Sequence, residues 1–130
     1  MRVGLSDILQ AARRAGPWRL RVAGVSMLPR LLPDDVLDVR PESRVRLGDV
    51  VVFRSRGILI AHRVIGVAGA LLTAGDASRG QTEHVDRADV LGVAQRVIRR
   101  GTAPFPARSF GAAIALRARI ALKYYARIMR

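Results

Sequence analysis

Two short blocks carry side chains able to do chemistry together. In Gly24-Val25-Ser26-Met27-Leu28-Pro29 a serine stands at a corner bounded by glycine and proline, where its hydroxyl is presented to solvent rather than packed. A serine hydroxyl does not ionise near neutrality, so it attacks a carbonyl only when a base stands beside it. The chain has two histidines, His62 and His84. His62 lies in the apolar run Ile60-Ala61-His62-Arg63-Val64-Ile65, where a strand would hold a neutral imidazole able to take that proton. His84 falls in a polar stretch and is expected to be non-catalytic. Each block alone has an ordinary reading, the first as a turn and the second as a strand with a hydrogen-bonded core histidine. Together they supply what acyl transfer needs, a hydroxyl to attack and an imidazole to move the proton.

Composition removes several other chemistries. There is no cysteine among the 130 residues, which excludes disulfides, thiolate nucleophiles and cysteine-ligated zinc. With two histidines, a histidine metal cage is not expected either, and no cofactor is called for. Charge is unevenly spread along the chain, whose formal net charge is +13. Residues 22–95 hold nine arginines and nine acids, whereas residues 96–130 hold eight arginines, Lys123 and no acid. A basic end of this kind suits an anionic membrane, nucleic acid or an acidic partner, and charge alone does not choose among them. No stretch approaches the roughly 18 apolar residues of a membrane span. Asp7, Arg13 and Arg14 interrupt any apolar secretory signal, so a cytoplasmic protein, peripheral at the inner membrane surface at most, is expected.

The elements that must position Ser26 and His62 follow from periodicity. Leu5 to Ala15 reads as a short helix closed by Gly16-Pro17, making residues 1–17 an N-terminal helical segment. From Trp18 the period changes to two: Trp18, Leu20 and Val22 alternate with Arg19 and Arg21, a half-buried strand that leads into Ser26. Val36 to Val39 forms a second strand, and Val50-Val51-Val52-Phe53 a buried one. Arg56-Gly57 is a hairpin turn, and Ile58 to Val67 returns as the strand carrying His62. Leu71-Leu72-Thr73 is a short strand, residues 77–88 a polar surface loop, and Val90 to Ile98 the last strand. Residues 18–100 thus form a β domain, 101–107 a proline-containing linker and 108–130 a basic amphipathic helix. On that helix Phe110, Ile114, Tyr124, Tyr125, Ile128 and Met129 gather on one side, with Arg119, Lys123, Arg127 and Arg130 on the other.

Read in order, the blocks Ser26-Met27-Leu28-Pro29, Pro33-Asp34-Asp35, Gly48-Asp49-Val50-Val51-Val52-Phe53, Ile60 to Ile65, Leu72-Thr73-Ala74-Gly75-Asp76 and Val90-Leu91-Gly92-Val93 resemble the type I signal peptidases and their relatives, the self-cleaving phage and SOS repressors. The resemblance spans about residues 20–98. The common bacterial enzymes carry a lysine where this chain has His62, whereas the archaeal and endoplasmic-reticulum branch carries a histidine, and the chain resembles that branch. Lys123 is the only lysine, so a serine–lysine pair at that place is excluded. The resemblance implies a mainly β fold, a coiled antiparallel, barrel-like sheet. It implies Ser26 as nucleophile and His62 as general base, with the backbone N–H of Ser26 or Met27 at the oxyanion. It also implies a peptide or protein substrate bound as an extended strand, with small side chains at the cleavage site.

In the histidine branch a further aspartate follows the Gly-Asp block and assists the histidine. Here Asp76 is favoured as that acid, with Asp86 behind it, while Asp34, Asp35 and Asp49 read as turn residues. Signal peptidases also carry a membrane anchor ahead of the serine block, whereas residues 1–17 are expected to offer only a short, arginine-containing helix and no transmembrane anchor. Residues 108–130 offer a substitute, a helix lying peripherally on an anionic membrane, or else a helix packed on the core with its charges solvated. The competing functional reading is a catalytically inactive relative that binds peptide, membrane or nucleic acid through its basic termini. Nucleic acid is the weaker of these, because six aromatic residues in the whole chain give few stacking platforms and residues 1–15 are too short for a helix-turn-helix.

Overall fold

Short runs of β-branched and alternating residues assemble into one antiparallel sheet in the computed structural model, which describes residues 16–42 and 44–129. The helix expected within residues 1–17 lies outside the described residues except for Gly16 and Pro17. Eight strands form the sheet: β1 Trp18–Arg21, β2 Val36–Arg40, β3 Val50–Ser55, β4 Ile58–Gly66, β5 Leu71–Ala74, β6 Glu83–Val85, β7 Val90–Ile98 and β8 Phe105–Pro106. Their order is β1-β2-β7-β3-β4-β5-β6, with β8 added to the end of β7. The mainly β, coiled antiparallel architecture is as expected, but the sheet stays open and does not close into a barrel.

The sheet buries both of its faces, and β3 shows how. Val50 and Val52 point into a cluster with Met27, Leu31, Leu37, Val39, Ala94 and Val97. Val51 and Phe53 point the other way, onto Val64, Leu71, Val85, Val90 and Val93. A strand buried on both faces reads as a continuous apolar run rather than an alternating one, and each fully buried valine contributes about 1.5–3 kcal/mol of apolar burial. Arg56 and Gly57 both take positive φ, 50° and 79°, the geometry of the tight turns whose twist matches that of a β-hairpin.

Two short strands escape sequence periodicity. The polar stretch 77–88, expected as a loop, contains β6 and the start of a 3-10 turn, Arg87–Asp89. The linker 101–107 contains β8, which pairs Phe105 with Val97. Strands of two or three residues are too short for a period to show, and each is held by the strand it joins.

A single α-helix is found among the described residues, α1 Phe110–Ile128, capped by Ser109, whose Oγ accepts from the Ala112 N–H. The side that docks differs from the apolar side drawn by periodicity. Ala113, Leu116 and Ile120 pack with Leu47, Ile65, Leu72 and Ala74 and Ala112 is buried beside them in sequence, while Phe110, Ile114, Tyr124, Tyr125, Ile128 and Met129 are exposed. A small residue, Ala113, makes the closest part of that contact because the helix starts hard against the β3 approach: a Cβ on Gly48 would stand 2.6 Å from the Ser109 carbonyl oxygen.

Candidate active site

Ser26 opens the turn Ser26–Arg30, just beyond β1. The amides of Arg30 and Leu31 both donate to the Met27 carbonyl, and the Met27 and Leu31 side chains drop into the core. That anchoring leaves the Ser26 hydroxyl outside. Among the described residues, the amides of Ser26 and Met27 take no part in the turn's backbone hydrogen bonds.

His62 arrives from β4, where it sits opposite Val51 in register. Its Nε2 lies 3.2 Å from Ser26 Oγ, although the two residues are 36 positions apart in sequence. Gly75 is what permits that approach. A Cβ there would stand 2.5 Å from the Ser26 carbonyl oxygen and 3.2 Å from His62 Nε2. The Ala77 N–H then donates to that same Ser26 oxygen at 3.0 Å, clamping the serine turn onto the end of β5.

The other imidazole nitrogen, Nδ1, contacts the Glu83 carboxylate, and Thr73 Oγ1 donates to the same carboxylate oxygen at 3.4 Å. Phe53 meets the imidazole edge-on, ring centroids 6.2 Å apart. A ring whose Nδ1–H faces a carboxylate keeps its Nε2 lone pair for the serine hydroxyl, because the partner of one nitrogen sets which of them carries the proton. The file Ser26–His62–Glu83 can therefore take a proton from the hydroxyl and stabilise the imidazolium that results.

Asp76, expected beside His62, lies elsewhere. Its two oxygens accept from Arg63 Nε and Nη2 at 3.0 and 2.7 Å, and Arg63 is 1% exposed. Arg63 Nη1 also donates to the carbonyls of Gly48 and Ala107. This buried fork ties β4, the serine-facing loop and the root of α1 together, and it directs both oxygens of Asp76 at the guanidinium rather than at the imidazole. Asp86, the second choice, accepts from the Ala88 N–H and caps the 3-10 turn. Asp35 and Asp49 accept from the Leu32 and Arg46 amides in their own turns. His84 is exposed on β6. Sequence reasoning missed Glu83 as a partner of His62. Its signal was the alternation Glu83, His84, Val85, which puts the acid on the same side as a buried valine.

A groove of about 450 Å³ runs to one side of the pair, lined by Leu20, Val22, Met27, Leu31, Leu59 and Ala61. A smaller hollow of about 280 Å³ lies on the other, lined by Val25, Ala77, Ser78, Gln81 and Glu83 with Ser26 and His62. Two strand edges border the groove. Among the described residues, β1 pairs only with β2, and β5 joins β4 only from Arg63 onward, leaving Ile58 to His62 paired on one side alone. Unpaired edges of this kind accept an added strand.

Among the described residues, no helix is long and apolar enough to cross a membrane. A family model described as Peptidase S24-like matches residues 11–94, a span that includes Ser26, His62, Gly75 and Glu83. No curated protein matches the chain.

Proposed function

Since the chain belongs to the Peptidase S24-like family, we propose that it is a serine endopeptidase working through Ser26, His62 and Glu83. The observation that carries this reading is the 3.2 Å approach of His62 Nε2 to Ser26 Oγ, with Glu83 on the far nitrogen. Ser26 Oγ attacks the peptide carbonyl and passes its proton to His62 Nε2. The carbonyl oxygen takes up the negative charge and is met by the amides of Ser26 and Met27. The C–N bond then breaks as His62 returns the proton to the leaving amine. Water, deprotonated by the same imidazole, attacks the acyl carbonyl, and the proton passes from His62 Nε2 to Ser26 Oγ as the Oγ–acyl bond breaks.

The substrate lies as an extended strand between the edges of β1 and β4. Main-chain hydrogen bonds supply affinity there, and the apolar groove reads alternate side chains. A leader or signal segment, extended and apolar before its cleavage point, has the right form. Glu83 takes the place held by an aspartate in the histidine-containing signal peptidases that the sequence resembles.

Acylation of purified protein by a serine-directed β-lactam or lipopeptide probe, read by intact mass, tests the reading. One adduct is expected on the parent chain and none on the Ser26→Ala and His62→Ala variants. An unmodified parent, or an adduct that survives in either variant, overturns it and leaves the non-enzymatic binding module as the better account.

A further inference from the structure

Beyond Ile120 the helix α1 runs past the core, and residues 121–129 are exposed on every side. The stripe that docks changes character at that point. Leu116 and Ile120 pack against the sheet. Seven residues further on, at nearly the same azimuth, stand Lys123 and Arg127. They face the turn Arg79-Gly80-Gln81 across a cleft of about 460 Å³, whose lining also includes Ile120 and Tyr124. The lining contains no acid. Among the described residues, Arg79, Lys123 and Arg127 take part in no ion pair. Three cations turned toward one cleft repel each other until an anion enters, so the arrangement favours a negatively charged occupant.

Where the cleft lies narrows the choice of anion. It shares Gln81 with the hollow that holds Ser26, His62 and Glu83, so a chain crossing Ser26 and leaving through that hollow enters the cleft next. Its helical cations, Lys123 and Arg127, continue the stripe of Leu116 and Ile120 that docks on the sheet. A flat bilayer would meet the opposite side instead, where Phe110, Ile114, Tyr125 and Ile128 are exposed.

We propose that this cleft binds acidic side chains of the substrate, on the flank of the scissile bond that lies over Ser78 to Gln81. The preferred substrates are then peptides with an apolar extended segment on one side of the cleavage point and an acidic run on the other. The proposal rests on the peptidase reading, and it supplies the substrate class which that reading leaves open.

Binding to the full-length Ser26→Ala protein tests the cleft without turnover. The probes are fluorescein-labelled peptides with an alanine- and leucine-rich half joined to a run of glutamates, the same peptide with glutamines, and both in reversed order. At low salt the glutamate peptide should bind about tenfold tighter in one order only, an advantage that salt erodes. The combined Arg79→Gln, Lys123→Gln and Arg127→Gln variant should lose that advantage. Charge reversal, R79E with K123E and R127E, should instead favour a lysine peptide, a gain that misfolding cannot produce. Equal binding of the glutamate and glutamine peptides, equal help in both orders, or an advantage that survives the triple variant would overturn the proposal. So would triple-variant loss of binding to phosphatidylglycerol vesicles or single-stranded RNA with no glutamate preference. A glutamate preference in a chain that no acylating probe labels would remove the peptidase reading and leave an acidic-peptide site. Labelling without the preference would remove the cleft alone.

Discussion

Glu83 is the residue in which reading the sequence and reading the site diverge. Ser26 and His62 stand out in the sequence only as a pair, because each placement alone is ordinary but the two together supply a nucleophile and a base. Glu83 lies in a polar stretch where an acid is ordinary, and only the pairing of β6 with β5 carries it to His62. If it holds the imidazole in the productive tautomer, Glu83→Gln should slow probe acylation of Ser26 about a hundredfold or more. The same change should leave the thermal midpoint nearly unaltered, because Glu83 is only partly buried. An acylation rate within twofold of the parent would remove Glu83 from the mechanism. Gly75 gives a second test at this scale. A Cβ at 2.5 Å from the Ser26 carbonyl oxygen cannot be accommodated without moving backbone, so Gly75→Ala should widen the Ser26–His62 approach. Acylation should fall at least tenfold, with a stability loss of about 1–3 kcal/mol.

At the scale of elements, the Arg63–Asp76 fork does structural work that the sequence pattern disguises. The block Leu72-Thr73-Ala74-Gly75-Asp76 marks Asp76 as interesting, and its position one residue from Gly75 supports a place near the histidine. Strand alternation decides otherwise: His62 and Arg63 are neighbours on β4 and point to opposite faces, and Asp76 meets the arginine's face. Removing the carboxylate would strand a buried guanidinium, so Asp76→Ala should cost about 3–5 kcal/mol in denaturant unfolding. A folded, fully stable Asp76→Ala protein would show that the fork contributes nothing. The terminal helix carries a similar lesson. Its existence follows from local sequence, but its start at Phe110 behind the Ser109 cap and the side that docks emerge only in the structure, the latter set by the close approach at Gly48 and by the flat surface that small alanines offer. A hydrophobic stripe defines a candidate face, and the partner surface selects among candidates.

For the molecule as a whole, charge pairs tie distant parts of the chain together and give it a definite acid response. Asp35 accepts two hydrogen bonds from Arg99, at 2.8 and 2.7 Å, and one from the Leu32 amide at 2.8 Å. The Arg99 guanidinium also lies 5.1 Å from the Phe105 ring centroid, so the loop after the serine turn, the end of β7 and β8 share one anchor. The hydrogen bonds from Arg99, aided by the amide, hold the Asp35 carboxyl below its usual range against the opposing effect of burial. A depressed carboxyl contributes its full stability above the unfolded value, about pH 4, and loses it as pH falls through the lower folded value. Asp35→Asn should therefore be less stable than the parent by about 1–3 kcal/mol near neutral pH. Urea midpoints across pH should bring the two together below about pH 4, and a gap that stays constant down to pH 2 would show that Asp35 does not titrate this way. By itself the sequence determined the β domain, its long strands, the serine corner and the histidine strand, because periodicity and turn chemistry act over a few neighbouring residues. Only the tertiary structure decided the strand order, the open sheet, the acid beside His62 and the docked side of α1. Each of those depends on contacts between residues distant in sequence, and a contact of that kind leaves no period for a local reading to find.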